Sequence, residues 1–247
     1  MKIDILGVKI DSVTKEEAIS VVKKNLGLPG AHQVVTPNPE IIMEARRNRD
    51  FKAILNSAAL AIADGFGLKL AAWYLKNPLK ERIAGVDFIA SLVQLSQKEK
   101  RGIYLLGAMP GVAKAAAQKL KEQYPDLIIA GAESGLRNGQ MISDEEIVRR
   151  INSKSPQMLL VAFGAPRQEE WIFANKSKLS TVKIVMGVGG AFDFISGKVK
   201  RAPRLIRKLG LEWLFRLIIQ PWRIKRIFTA AVAFPWIIIK SGYKNEQ

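Results

Sequence analysis

A single acidic residue, Asp64, follows a run of small and apolar residues and stands directly before Gly65, with Gly67 close behind. An apolar run of that length, closed by a turn signal, is typical of a strand buried on both faces. In open α/β sheets the ligand crevice lies at the carboxyl ends of the strands, where a carboxylate can take a proton from a substrate. The local pattern alone favours a helix cap, so the role of Asp64 depends on the elements around it.

Four further predicted strands also end in polar or glycine-rich turns. Short apolar segments alternate with helices that begin at cap signals, such as Thr14 followed by Glu17 and Asn38 followed by Pro39. The alternation predicts an α/β fold, Rossmann-like, with a mostly parallel sheet and helices on both faces. Because parallel strands end at one edge of the sheet, all five turns should meet there. The turns are Thr36-Pro37-Asn38, Asp64-Gly65, Gly107-Ala108, Gly164-Ala165 and residues 187–193.

Glycine-rich turns at helix N-termini favour a phosphate-bearing ligand, because backbone N–H groups can approach the phosphate closely. The chain lacks G-x-G-x-x-G, G-x-x-x-x-G-K-[ST] and the Asp-x-Asp pair that holds a divalent ion against a sugar diphosphate. It has no cysteine, and its one histidine is His32. We therefore expect a nucleotide or nucleotide-linked substrate, no cofactor and no metal site. Arginine, lysine or helix dipoles would then stabilise the charge of the leaving group.

The positive charge of the chain is concentrated near its C-terminal end. The chain carries a net charge of +17, and residues 198–247 contribute +10 of it. This shift in composition predicts an α/β catalytic domain of residues 1–195 and a helical appendage of residues 196–247. Such an excess of positive charge suits a polyanionic partner: nucleic acid, an anionic membrane surface or phosphorylated substrates.

The appendage combines basic residues with apolar ones at helical spacing. The pattern predicts one basic amphipathic helix over residues 203–219, ended by Pro221, and an apolar run over residues 227–239 that Pro235 interrupts. That run is too short to span a bilayer, but it suits the headgroup boundary, as do three tryptophans. We expect binding to an anionic membrane surface and not to nucleic acid. Packing of two helices on the domain and a homo-oligomer contact are the alternatives. The tryptophans are Trp213, Trp222 and Trp236.

Ordered motifs run along nearly the whole chain. They are T-P-N-P-E (36–40), A-D-G-F-G (63–67), E-R-I-A-G-V-D-F (81–88), L-L-G-A-M-P-G-V-A (105–113), F-G-A-P-R-Q-E-E-W (163–171), G-V-G-G-A-F-D-F (187–194), R-A-P (201–203), G-L-E-W-L-F-R (210–216) and P-W-R-I-K-R (221–226). Together they resemble the motifs of the WecG/TagA/CpsF family of bacterial glycosyltransferases, and the chain is most similar to the TagA branch.

The resemblance implies an inverting, metal-independent enzyme that moves N-acetylmannosamine (ManNAc) from UDP-ManNAc to the N-acetylglucosamine (GlcNAc) of undecaprenyl-diphosphate-GlcNAc. That transfer belongs to wall teichoic acid synthesis. Other branches use the uronic acid form, UDP-ManNAcA, for enterobacterial common antigen, or serve capsule synthesis. The lipid-linked acceptor implies a cytoplasmic enzyme bound peripherally to the inner face of the cell membrane. A non-catalytic nucleotide-sugar sensor at the membrane is the alternative from a different class.

The resemblance also implies roles for residues at the predicted sheet edge. It favours Asp64 as the base that takes the proton from the acceptor hydroxyl over Asp64 as a helix cap. Thr36 and Asn38 hold donor or acceptor hydroxyls, or serve only the turn and the cap. Arg82 binds a phosphate, or pairs with Glu81.

Further residues are implied in sugar and diphosphate binding. Gln168 hydrogen-bonds a sugar, or is an exposed helix residue. The glycine-rich turns cradle UDP, with Asp193 on the ribose or uracil. Three arginines of the appendage bind the diphosphates, or form a basic face towards solvent or lipid headgroups. The glycines are Gly107, Gly164, Gly187, Gly189 and Gly190, and the arginines are Arg216, Arg223 and Arg226.

Overall fold

A computed structural model describes residues 1–137 and 139–244 of the chain. Strands form a central sheet and two smaller pairs. They are β1 (Lys2–Ile5), β2 (Val8–Asp11), β3 (His32–Val35), β4 (Leu60–Ala61), β5 (Ile103–Gly107), β6 (Ile129–Glu133), β7 (Leu136–Arg137), β8 (Gln140–Met141), β9 (Met158–Ala162) and β10 (Ile184–Gly187).

Helices alternate with these strands and continue beyond the last of them. They are α1 (Lys15–Leu26), α2 (Pro39–Arg47), α3 (Arg49–Asn56), α4 (Phe66–Tyr74), α5 (Gly85–Lys98), α6 (Val112–Gln123), α7 (Asp144–Lys154), α8 (Arg167–Asn175), α9 (Ala191–Ile195), α10 (Arg204–Lys208), α11 (Glu212–Ile219), α12 (Ile224–Phe228) and α13 (Phe234–Lys244). Two short 3₁₀ segments, Lys176–Lys178 and Pro221–Arg223, and a π-helical segment, Thr229–Ala233, complete the helical part.

The predicted α/β fold is confirmed. Six strands form one parallel sheet in the order β4-β3-β10-β9-β5-β6, and β1-β2 and β7-β8 are separate antiparallel pairs. Apolar residues of α1, α5, α6 and α9 pack on one face of the sheet. Those of α2, α3, α4, α7 and α8 pack on the other face. Buried on both sides, β5, β9 and β10 show no exposed residue, as their near-continuous apolar sequences predict.

Local signals placed the helix starts correctly. The side chain of Thr14 accepts a hydrogen bond from the Glu17 N–H, and the Glu17 carboxylate accepts one from the Thr14 N–H, which completes a capping box before α1. Asn38 caps α2 by accepting from the Ile41 N–H at 2.9 Å, with Pro39 as the first helical residue.

The sheet register brings the predicted turns to one edge. In the β3-β4 pair, Val35 lies opposite Ala61, so Thr36 and Asp64 follow the ends of neighbouring strands. The N–H of Asp64 donates to the carbonyl of Pro37 at 2.9 Å, which ties the two turns together. Because β10 lies next to β3, the glycine-rich turn that follows it comes next along the same edge, before those of β9 and β5.

The predicted single helix over residues 203–219 is wrong. Gly210 adopts a left-handed conformation with φ of +75°, and α10 and α11 end and begin on either side of it. Further on, α12, the π-helical segment and α13 follow one another without a loop. The wider π turn directly precedes Pro235, whose ring would clash with a carbonyl of a regular α-helix.

The last helix packs on the α/β part of the chain. Phe234 and Ile238 of α13 are buried at 1% and 3% exposure and join the apolar cluster that contains residues of α2 and α4. Within the part of the chain that the structure describes, no helix is both long and apolar enough to cross a bilayer. The division of the chain at residue 196 remains a prediction.

Candidate active site

Asp64 is held at the sheet edge by the backbone around it. The N-terminal cap of α4 is Gly65, with no side-chain cap hydrogen bond, so the interpretation of Asp64 as a helix cap is wrong. The Gly85 N–H, at the start of α5, donates a hydrogen bond to the Asp64 carboxylate. A Cβ atom at Gly85 would lie 3.3 Å from Asp64 Oδ2 and 3.7 Å from Thr36 Oγ1. A glycine at position 85 therefore leaves room for the Asp64 carboxylate, and Thr36 lies buried nearby.

Burial raises the pKa of Asp64 to about 6, and the negative charge of Glu212 adds to the increase. The Gly85 hydrogen bond and the positive charges of Arg82 and Arg201 act in the opposite direction and are outweighed. A carboxylate with such a pKa is still ionised at neutral pH and is more basic than an ordinary aspartate. These are the properties of a general base.

A cleft of about 320 Å³ opens above Asp64, between α4 and the C-terminal helices. We call it the Asp64 cleft. Its polar lining includes Asn38, Asp64, Arg82, Arg216 and Arg223. The side-chain oxygen of Asn38 accepts the cap bond of α2, and its amide nitrogen remains available to donate to a substrate. Glu81 accepts a hydrogen bond from the Lys15 N–H at 2.8 Å, whereas Arg82 lines the cleft.

A second cleft, of about 550 Å³, lies beside it along the same sheet edge. We call it the glycine cleft. Its lining includes Gly164, Gly189, Gly190 and Asp193, together with all three predicted arginines of the appendage. A Cβ atom at Gly164 or Gly189 would meet nothing within 4 Å, so their backbones are open to a ligand. Arg216 and Arg223 line both clefts and therefore form a shared wall.

Arg216 and Arg223 are positive charges in partly buried positions. The Arg216 guanidinium lies 5.0 Å from the centroid of the Phe194 ring, and its buried Nε has no hydrogen-bond partner among the described residues. Burial lowers the pKa of Arg216. Burial, followed by the like charges of Arg216 and Arg226, lowers the pKa of Arg223 to about 10. Bound anions would offset this repulsion and pair the buried donor, as expected of a diphosphate site.

Arg226 differs from the other two arginines. Its Nε and Nη2 each lie 2.6 Å from the same carboxylate oxygen of Glu40, at the start of α2. This ion pair joins the appendage to the α/β part of the chain. Arg226 lines the glycine cleft but is already neutralised by Glu40.

Comparison with known proteins connects this geometry to an activity. The model of the glycosyl transferase WecG/TagA/CpsF family matches residues 3–247. The chain belongs to this family. It is 33% identical, over 100% of its own length and 95% of theirs, to the N-acetylglucosaminyldiphosphoundecaprenol N-acetyl-beta-D-mannosaminyltransferases of Staphylococcus aureus strains MRSA252 and NCTC 8325. The protein is thus a glycosyltransferase, as its motifs predicted.

In this glycosyltransferase Gln168 is not exposed, so that alternative is wrong. Its side chain is 3% exposed, and its Oε1 accepts from the N–H groups of Gly164 at 3.1 Å and Gly189 at 2.9 Å. Its Nε2 donates to Oε1 of the buried Glu169 at 2.7 Å. Gln168 thus connects the two open glycine turns, and its direct contact with a sugar remains a prediction.

Gly107 and Gly187 do not line the glycine cleft as the described residues form it. A Cβ atom at Gly107 would lie 2.8 Å from the Ala162 backbone, and one at Gly187 would lie 2.7 Å from Gln168 Nε2. Gly107 allows close packing of β5 on β9, and Gly187 makes room for the Gln168 side chain. Both glycines therefore support the cleft from inside.

Sequence reasoning missed several residues that the fold brings to the glycosyltransferase clefts. Glu212 lines the Asp64 cleft and lies 3.5 Å from Arg201, which in turn forms a bidentate pair with Asp87 at 2.6 and 3.0 Å. Phe194 lies against Arg216. All of them fall inside the family motifs, and that was the available signal. Within the described chain, no group of three or more His, Cys, Asp or Glu side chains is arranged to hold a metal ion.

Proposed function

We propose that the protein transfers ManNAc from UDP-ManNAc to undecaprenyl-diphosphate-GlcNAc. The names of the Staphylococcus aureus relatives specify an undecaprenol-linked GlcNAc diphosphate as the acceptor and N-acetylmannosamine as the transferred sugar. At 33% identity over full length, the same acceptor and sugar are the simplest assignment for this chain. The product would serve wall teichoic acid synthesis.

One observation carries the mechanistic part of the proposal: two clefts share a wall of two arginines, and a carboxylate with a raised pKa lies on one side of it. We assign UDP-ManNAc to the glycine cleft, where the absence of side chains at Gly164 and Gly189 leaves room for a diphosphate beside Arg216 and Arg223. The acceptor then occupies the Asp64 cleft. Arg216 and Arg223 stand between the two substrates.

The reaction follows from these positions. Asp64 removes the proton from a hydroxyl of the acceptor GlcNAc, and that oxygen attacks the anomeric carbon of ManNAc from the side opposite UDP. The bond from the anomeric carbon to the diphosphate oxygen breaks, and its electron pair leaves with UDP. Arg216 and Arg223 stabilise the charge that develops on the diphosphate, so the transfer inverts the anomeric centre and needs no metal ion.

We further propose that the enzyme acts on the inner face of the cell membrane. Several apolar side chains of the appendage are exposed between basic ones. Such a surface suits the headgroup region of an anionic bilayer. The largest exposed examples are Trp222, Trp236 and Ile218.

The test is incubation of the protein with UDP-ManNAc, UDP-ManNAcA or UDP-GlcNAc and a soluble GlcNAc diphosphate acceptor, in the presence of EDTA. Of the three donors, we expect only UDP-ManNAc to give UDP release and a disaccharide product. NMR of that product should show that the configuration of the transferred anomeric carbon is inverted. Faster transfer from UDP-ManNAcA would reassign the donor. Activity that EDTA abolishes and magnesium restores would contradict metal independence.

A further inference from the structure

Helix α4 has an apolar outer face as well as an apolar inner face. On the inner side Leu68 and Ala72 are completely buried. On the outer side Phe66, Leu70 and Trp73 follow one another at helical spacing and are 37%, 51% and 71% exposed. A surface helix normally presents polar residues to water, so an apolar outer face indicates an interaction site.

The position of α4 relative to the catalytic carboxylate is fixed by close packing. The helix begins two residues after Asp64. A Cβ atom at Gly67 would lie 2.9 Å from Pro39 Cγ, so the first turn of α4 packs directly on the start of α2. A Cβ atom at Gly210 would lie 2.6 Å from the Phe66 ring, so this ring covers the backbone of the appendage. The outer face therefore starts at the Asp64 cleft and leads away from it for about 10 Å.

The lining of the Asp64 cleft combines charged and apolar residues. Besides Asp64 and the arginines it includes Phe66 and Leu70 of α4, which leads away from Asp64, and apolar residues of the C-terminal helices. Two alanines among these residues leave space for a chain-like apolar group. The C-terminal residues that form this apolar wall are Ile227, Ala230, Ala231 and Pro235.

We propose that the groove between the outer face of α4 and this wall binds the first isoprene units of the acceptor. This inference rests on the proposed function and deepens it. The cleft has the polarity of a lipid diphosphate: arginines for the diphosphate, then apolar surface for the hydrocarbon. A second copy of the chain would also bury the outer face of α4, but it would not explain the arginines that line the same cleft.

The test compares acceptors that differ only in the group on the diphosphate: methyl, a chain of two isoprene units, or undecaprenyl. All three are assayed in one detergent, so that binding to a bilayer does not contribute. In the unchanged protein we expect the KM for the acceptor to fall from the methyl to the undecaprenyl acceptor. Most of this fall should already be present with the two-isoprene acceptor. A KM that does not depend on the chain would overturn the proposal.

The variants Leu70→Gln and Trp73→Gln should reduce the preference for the two-isoprene over the methyl acceptor by about tenfold. The matched control is Leu28→Gln, which changes a leucine with 39% exposure outside both clefts and should leave the preference intact. If the variants change the preference only in vesicles, the outer face of α4 contacts the membrane and the proposal is overturned. If they dissociate an oligomer and leave the acceptor preference unchanged, the face binds a second copy and the proposal is likewise overturned. Failure of every acceptor would instead count against the proposed function.

Discussion

The two clefts lie along one sheet edge but are built from different parts of the chain. In the Asp64 cleft, the turns after β3 and β4 present an amide and a carboxylate, and Arg82, just before α5, adds a guanidinium. In the glycine cleft, β9 and β10 present open backbone, held from below by Gln168. Proton transfer needs a side chain whose pKa can be adjusted, whereas diphosphate binding needs positive charge and space free of side chains. Under the proposed function, the two clefts separate the chemistry from donor binding.

The strongest test of this separation is Asp64→Asn, which retains the shape of the side chain and removes its basicity. We expect kcat to fall at least about 100-fold, with little change in the affinity for UDP. Single-turnover transfer and UDP binding by calorimetry measure the two quantities. Near-normal turnover would exclude Asp64 as the base.

The shared wall should affect both substrates. Arg216→Gln and Arg223→Gln are each expected to raise the barrier by about 2–4 kcal/mol, because a charge-stabilising donor is lost. Arg226→Gln should have a smaller effect on transfer, since Glu40 already neutralises that arginine. Transfer is measured with the soluble acceptor and compared with binding to vesicles. Equal losses in the three variants would contradict the distinction between the arginines.

The pKa of Asp64 predicts the acid limb of the pH profile. Asp64 acts as a base only when ionised, so kcat should fall about tenfold per pH unit below a midpoint near 6. The control is the Asp64→Asn variant, whose residual kcat should not fall in this way at low pH. A limb near pH 4 in the unchanged protein would mean that burial does not raise this pKa.

Glu169 provides a test confined to the glycine cleft. Glu169→Leu removes the acceptor that orients the Gln168 amide, so the KM for the donor should rise about five- to tenfold with little change in kcat. Glu169→Gln can still accept that hydrogen bond and should restore the donor KM. A loss of kcat in both variants would assign Glu169 a part in the chemistry.

The same residue predicts a dependence of stability on pH. Burial raises the pKa of Glu169 from 4.5 to about 7. Ionisation therefore costs more in the folded state, and the free energy of unfolding should decrease between about pH 4.5 and 7, by about 3 kcal/mol for this group. Urea unfolding at several pH values, with Glu169→Gln as the reference without this contribution, measures it.

The sequence by itself determined the features that depend on a few neighbouring residues. Thr14 with Glu17, and Asn38 with Pro39, marked the helix starts, because capping is a bond between residues three apart. The strand ends and their arrival at one edge followed from the alternation of strands and helices, since parallel strands share a direction. The motif order also determined the family and hence the glycosyltransferase activity.

Only the tertiary structure decided what depends on residues far apart in the chain. Gln168 belongs to a helix start, and its burial depends on the turn that contains Gly189. Arg226 pairs with Glu40 across 186 positions, which separates it from Arg216 and Arg223. The pKa of Asp64 likewise depends on burial and on Glu212, which a local pattern does not contain. Burial and charge act through space, so the roles of these side chains became apparent only when the fold brought them together.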